Sequence, residues 1–321
     1  MNIGIIGTFV WDVIYGRDTR VGPVEEWGGI TYALAAFDAA LPDDWRIVPL
    51  IKVGTDLAPR ARQFLHGLRH LAPGTDIIEV PWPNNRVEIR YYSAERRTER
   101  LTGGVPPWTW AGLQPLLKGI DALYVNLLAG WELDLETAQL LRQHFRGPIY
   151  CDLHSLVLAI QADGLRTPRP LPNVREWCAC FDLIQVNEDE MALMAPDPMA
   201  LAATALDAGA RCLAVTLGPR GAVYFAAPDF DCLDDLRRER LLGAMSGPIR
   251  TARIPAEAVK TLDGDPTGCG DVWGATYFSR LVAGDKLGDA IQAAHRAAAR
   301  NYGHRGATGL AHHLRGELSA T

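Results

Sequence analysis

The six cysteines of this 321-residue chain, at 151, 178, 180, 212, 232 and 269, include no CxxC pair. Neither a zinc ribbon nor a disulfide framework is expected, and reduced thiols in a cytoplasm are the simpler reading. No run of about 18 apolar residues is present, and Met1 to Gly7 enter an apolar stretch without a basic leader. Membrane insertion and export are therefore not expected. Positive charge is not in excess: 32 basic residues face 38 acidic ones, a net of −6, so no global field recommends a nucleic-acid partner. The GxxxxGK[ST] pattern is missing as well, which disfavours a P-loop nucleotidase. There is no internal repeat or low-complexity segment.

What the chain does have is rhythm. Short apolar runs at Ile3–Ile6, Ile47–Val53, Ala122–Leu127, Ile149–Cys151, Leu183–Val186 and Cys212–Leu217 read as strands buried on both faces. Helical patterns fall between several of them, at Ile30–Ala40, Ala58–Leu68, Leu135–Phe145 and Met199–Ala208, and an Ala-rich helical stretch follows at Leu287–Tyr302. This alternation predicts an α/β fold with a mostly parallel sheet covered by helices on both sides. The length fits one large α/β domain or two smaller ones. From Asn84 to Gly104 the rhythm changes, and Arg86 to Tyr92 alternate polar with apolar residues as a half-exposed strand does.

Asp265-Pro266-Thr267-Gly268-Cys269-Gly270-Asp271, followed by apolar Val272-Trp273, is the stretch richest in chemistry. Small residues let backbone N–H groups approach an anion, and the positive end of a following helix adds to the attraction. Asp271 would sit beside such an anion, placed to take the proton of an attacking hydroxyl. The plainer alternative is a glycine-rich turn before a helix capped by Asp271.

This segment resembles the Asp-Thr-Thr-Gly-Ala-Gly-Asp signature of the ribokinase-like (PfkB) family of carbohydrate and nucleoside kinases, with Pro266 and Cys269 as departures. The resemblance implies a three-layer α/β/α kinase domain spanning 1–321, with a small β-sheet lid grown from excursions near 14–26 and 84–105. It implies Asp271 as catalytic base and the backbone of Gly268, Cys269 and Gly270 as the anion hole. Asn187 and Glu190 match the family's Asn-x-x-Glu motif, which helps to organise magnesium. Read locally, the same residues are an N-cap followed by acids in the first turn of a helix. Thr216-Leu217-Gly218-Pro219-Arg220-Gly221 is similar to the family's nucleotide-binding turn, which puts Thr216, Gly218 and Gly221 on ATP; a plain β-turn is the alternative.

On the acceptor side, Asp12 resembles the early Asp that contacts substrate hydroxyls, and a carboxylate can hold two of these at once. Gly28-Gly29 resembles the pair that lets substrate approach backbone. The Asn usual four residues after the second Gly is Ala33 here, and in the Asp-x-Asn segment that begins at Asp152 the Asn is His154. Asn126 and Trp131-Glu132 follow a strand end and could line an acceptor pocket. Asp265 could serve a monovalent cation.

The expectation is an ATP-dependent phosphotransferase acting on a hydroxyl of a sugar or sugar-like molecule, with ATP and Mg²⁺, in the cytoplasm, and with room for a homodimer paired through the lid. A nucleoside kinase of the same fold and a catalytically silent sugar-binding relative are the alternatives. A dinucleotide enzyme is disfavoured, because Asp265-Pro266 rather than an apolar strand precedes Gly268-x-Gly270.

Overall fold

The computed structural model describes residues 1–16, 22–92, 97–234, 247–257 and 264–317. Parts of the two expected lid excursions, 17–21 and 93–96, lie outside the described residues. The strands are β1 (Asn2–Tyr15), β2 (Val24–Gly29), β3 (Arg46–Gly54), β4 (Ile78–Val80), β5 (Arg86–Tyr91), β6 (Arg97–Thr102), β7 (Ala122–Asn126), β8 (Ile149–Asp152), β9 (Leu158–Ile160), β10 (Arg166–Pro168), β11 (Leu183–Asn187), β12 (Cys212–Thr216), β13 (Ala222–Ala226) and β14 (Arg250–Ile254).

The central sheet runs β14-β13-β12-β11-β8-β7-β1-β3-β4. From β12 to β4 every pairing is parallel, and β13 and β14 add antiparallel strands at one edge. Period-two alternation divides the side chains between two cores. Ile3, Ile5, Tyr124, Tyr150 and Leu183 face the helices Ile30–Ala40, Ala58–His66, Cys269–Val282, Leu287–Tyr302 and Leu310–Arg315. Ile6, Leu123, Val125, Ile149, Ile184 and Val186 face the helices Leu135–His144, Val174–Cys178 and Pro198–Asp207. Each face buries its own apolar set, which is why these strands read as continuous apolar runs.

β1 is long enough to serve two sheets. Asn2 to Thr8 pair with β3 in the central sheet, and Phe9 to Ile14 pair antiparallel with β2. Trp11 to Tyr15 also pair with β5, which pairs with β6. β2, the far end of β1, β5 and β6 thus make the small lid, and Val10, Val87, Ile89 and Leu101 form its apolar underside. The β9–β10 hairpin docks on the lid through Leu101 N donating to Gly164 O at 2.9 Å and an Arg100–Asp163 ion pair.

Candidate active site

The parallel strands end together, and four of their last residues carry polar side chains: Asn126 on β7, Asp152 on β8, Asn187 on β11 and Thr216 on β12. Ligands of open α/β sheets bind outside these carboxyl ends. A cavity of about 320 Å³ lies there, roofed by Val10, Val87, Ile89 and Glu99 of the lid. Of the residues singled out in the sequence, Asp12, Gly29, Asn187, Glu190, Thr216, Gly218, Gly268, Gly270 and Asp271 line it together. Gly28, Gly221 and Cys269 do not line it.

Gly28 acts from behind. A Cβ there would stand 1.9 Å from Asp12 Oδ2, so the glycine makes room for the Asp12 carboxylate, which is 6 % exposed. Gly29, at φ 64°, turns the chain from β2 into the helix that follows. Gly221 adopts φ 97° and has Ile254 O 2.1 Å from where a Cβ would be, so it closes the turn after Thr216 tightly against β14. The Cys269 N–H donates to Pro266 O at 3.2 Å, and its thiol lies near Ala298 O and Asn301. The cavity side of this turn is therefore formed by Gly268 and Gly270.

The helix Cys269–Val282 starts at Gly268, in left-handed backbone at φ 74°, and no side chain caps it. Its N-terminus opens toward the cavity, where the helix dipole favours an anion. A Cβ on Gly268 would meet the Tyr32 ring at 2.2 Å. Asp271 stands in the first turn, and its Oδ1 accepts a hydrogen bond from Asn126 Nδ2 at 2.6 Å. Burial raises its pKa to about 6, against the opposing pull of His154 and the Asn126 hydrogen bond. A carboxylate of that kind is ionised at neutral pH and basic enough to receive a proton.

Beneath it, Tyr150 Oη donates to Gln185 Oε1 at 2.5 Å, and Gln185 Nε2 donates to Asp152 Oδ2 and to Gly270 O, both at 3.2 Å. Gln185 thereby ties β8 to the start of the helix. Gly274 permits this closeness, because a Cβ there would stand 2.2 Å from Tyr150 Oη.

The Asn187–Glu190 pair makes a capping box: Glu190 N donates to Asn187 Oδ1, and Asn187 N to Glu190 Oε2, each at 2.8 Å. The cap leaves Glu190 Oε1 facing His154 Nδ1 at 3.0 Å. Asp152, His154 and Glu190 bring one ligating atom each within 4.8 Å of one another, the one such cluster among the described residues. Burial lowers the His154 pKa, but the Glu190 hydrogen bond and the charges of Glu190, Asp152 and Asp271 outweigh it and push it up to about 10. Burial drives Asp152 well above the usual carboxylate range. The oxygens of Asp152 and Glu190 fit a hard cation such as Mg²⁺ held through its waters, whereas Asn187 Oδ1 is already engaged by the cap.

Sequence reasoning overlooked Arg166. It comes from β10, its side chain is 5 % exposed, and it reaches the cavity beside Glu99, 3.5 Å away, while its Nη2 donates to Leu128 O at 2.5 Å. No motif marks it, since only the docking of the hairpin on the lid brings it there. Tyr32, one of the aromatics that could stack a base, and Gln185 also line the cavity, from the helix Ile30–Ala40 and from β11. Glu132 turns away to accept from Ala129 N and Gly130 N, and the Trp131 indole donates to Val105 O. His312 bonds to Glu317 and is not part of the site. Asp265 Oδ1 accepts from Thr267 N at 2.9 Å, a local turn bond.

A sequence model described as "pfkB family carbohydrate kinase" matches residues 133–313. The structure is similar to that of a pyrophosphate-dependent kinase in the ribokinase family solved as a sulfate complex, with TM-score 0.70 and 16% identity, covering 95% of this chain and 96% of that one. It is similar to ribokinase from Thermotoga maritima, with TM-score 0.68, 17% identity and 98% of each chain covered. It is also similar to a Burkholderia thailandensis nucleoside kinase in complex with inosine, with TM-score 0.65 and 17% identity, covering 97% of this chain and 94% of that one. At such identities the likeness defines the fold, which is ribokinase-like. No curated protein sequence matches the chain.

Proposed function

Because the chain belongs to the pfkB family of carbohydrate kinases, we propose that it transfers the terminal phosphoryl group of ATP to a hydroxyl of a sugar or sugar-like small molecule. The observation that carries the reading is Asp271 at an uncapped helix N-terminus, held by Asn126 inside the strand-end cavity. In this reading the acceptor hydroxyl lies between Asp12 and Asp271. Asp271 takes its proton, the freed oxygen bonds to the terminal phosphorus, and the bond from that phosphorus to the bridging oxygen breaks to release ADP. The Gly268 and Gly270 backbone and the helix dipole stabilise charge on the moving phosphoryl group, while Thr216 and Gly218 hold the nucleotide phosphates. Magnesium, when bound with the nucleotide, neutralises phosphate charge. Asp152 and Glu190 would hold its hydration shell. The lid excludes water, which limits hydrolysis of the nucleotide.

Of the aromatics that could stack a base, Phe9, Trp11, Tyr32 and Trp131, only Tyr32 is among the cavity-lining residues, and its ring packs against Gly268, so a sugar-like acceptor is preferred over a nucleoside. The same proposal takes 1–321 as one kinase domain, lid included, acting in the cytoplasm and able to pair as a homodimer through the lid.

The test is ADP release with Mg-ATP against a panel of sugars, polyols and nucleosides. ADP release that requires an acceptor and is lost in Asp271→Asn is the expected result. Equal turnover in wild type and variant would remove Asp271 as the base, and turnover with nucleosides alone would replace the acceptor class.

A further inference from the structure

We propose that Asp152, His154 and Glu190 form a site that ligates a first-row transition divalent ion such as Mn²⁺ directly, through the imidazole nitrogen as well as the two carboxylates. The three side chains come from different elements: the end of β8, the turn His154–Val157 and the first turn of the helix Glu188–Met194. Their ligating atoms lie within 4.8 Å of one another, a spread that a single ion can span. Both carboxylates are buried and oriented from behind. Gln185 Nε2 donates to Asp152 Oδ2 at 3.2 Å, and Asn187 N donates to Glu190 Oε2 at 2.8 Å. Outer partners of this kind orient metal ligands and sustain affinity.

The histidine is held in place at a conformational cost. His154 adopts φ 30°, in the left-handed region that non-glycine residues seldom enter, and this backbone turns its ring onto Glu190 Oε1 at 3.0 Å. Strain of this sort concentrates at functional sites. A hard Mg²⁺ site has no need of imidazole, because that ion takes oxygen ligands and keeps its waters. A nitrogen donor beside two carboxylates instead shifts preference toward ions that accept imidazole. No thiol is within the cluster, so the ligand set is not that of a soft-metal site. Without an ion, His154 and Glu190 hold each other as a hydrogen-bonded pair, and the ion would take the place of the proton between them.

The proposal shares Asp152 and Glu190 with the kinase reading, but its test is binding, so the two fail separately. Nucleotide-free protein is titrated with Mn²⁺, free ion being followed by its paramagnetic resonance signal, and the bound ion is then displaced with Mg²⁺. One Mn²⁺ per chain is expected, with Mg²⁺ displacing it only at concentrations about tenfold higher or more. His154→Asn, chosen because Asn tolerates positive φ, should lower Mn²⁺ affinity by about tenfold or more and leave Mg²⁺ affinity nearly unchanged. Asp152→Asn should weaken both ions. Equal affinity for the two ions, a preference that survives in His154→Asn (binding at surface histidines only), or no bound Mn²⁺ at millimolar concentration would each overturn the proposal, the last leaving a closed ion pair.

Discussion

The two sides of the cavity are built differently. On the proposed donor side, Asn187, Glu190, Thr216, Gly218, Gly268 and Gly270 sit at strand ends, turns and helix starts, positions that short stretches of their own chain set up. On the proposed acceptor side, Asp12 needs Gly28 of the neighbouring strand, and Glu99 and Arg166 arrive from the lid and from a hairpin that docks on it. Local geometry can be written in a short motif. A pocket wall assembled from segments more than 60 residues apart cannot, as the separation of Glu99 from Arg166 illustrates.

The sharpest way to probe the junction of the two sides is Asp271→Asn, which should lower kcat by on the order of 10² to 10⁴ with little change in donor KM. Retained turnover would mean that the proton goes elsewhere. Next in size is Gly28→Ala. The added Cβ collides with the Asp12 carboxylate, and displacing a positioning group by about 1 Å costs on the order of 10² in kcat/KM for the acceptor. Donor KM should hold; if both parameters fall together, the two sides are less separate than their construction suggests.

On the donor side, Gly274→Ala presses a methyl group onto Tyr150 and Gln185. Overpacking of this kind costs about 1–3 kcal/mol of stability, to be read by thermal or denaturant unfolding. A smaller effect is expected from pH. With its pKa at about 6, Asp271 is progressively protonated below that value, so kcat/KM should fall about tenfold per pH unit beneath it. Linkage has the opposite sense for stability. A carboxyl raised from 3.8 to about 6 on folding favours the folded state fully below pH 3.8 and loses that contribution as pH rises through 6. Asp271→Asn should therefore unfold at a higher temperature than wild type above pH 6, with the advantage gone below pH 3.8. The smallest effect should come from Arg220→Ala, which removes an exposed ion pair with Glu188 beside the donor turn. A stability change within about 1 kcal/mol is expected.

Much of the central sheet was legible because its strands are apolar on both faces and punctuated by turns, a pattern set by burial alone. The helix Ala58–His66 stops two residues before its sequence estimate, at a glycine, as helix ends often do. The Asn187–Glu190 capping box was legible for a similar reason, since its two hydrogen bonds span only three residues. What could not be read was the second use of that box. One oxygen of Glu190 closes the cap and the other meets His154, which the sequence shows only as a departure from a pattern at a strand end. Likewise Asn126 was visible as a polar strand-end residue, but its bond to Asp271 joins positions 145 apart in the chain.

The sequence by itself determined the alternation of strands and helices, the turns that require glycine and the residue types at the strand ends, because each depends on local sterics and on the period of burial. Only the tertiary structure decided which charges meet. The pairing of His154 with Glu190, the burial that lifts Asp271, the seat of Asp12 over Gly28 and the arrival of Arg166 in the cavity all arise from segments distant in the chain, and electrostatics depends on distance and burial in space rather than on order along the backbone.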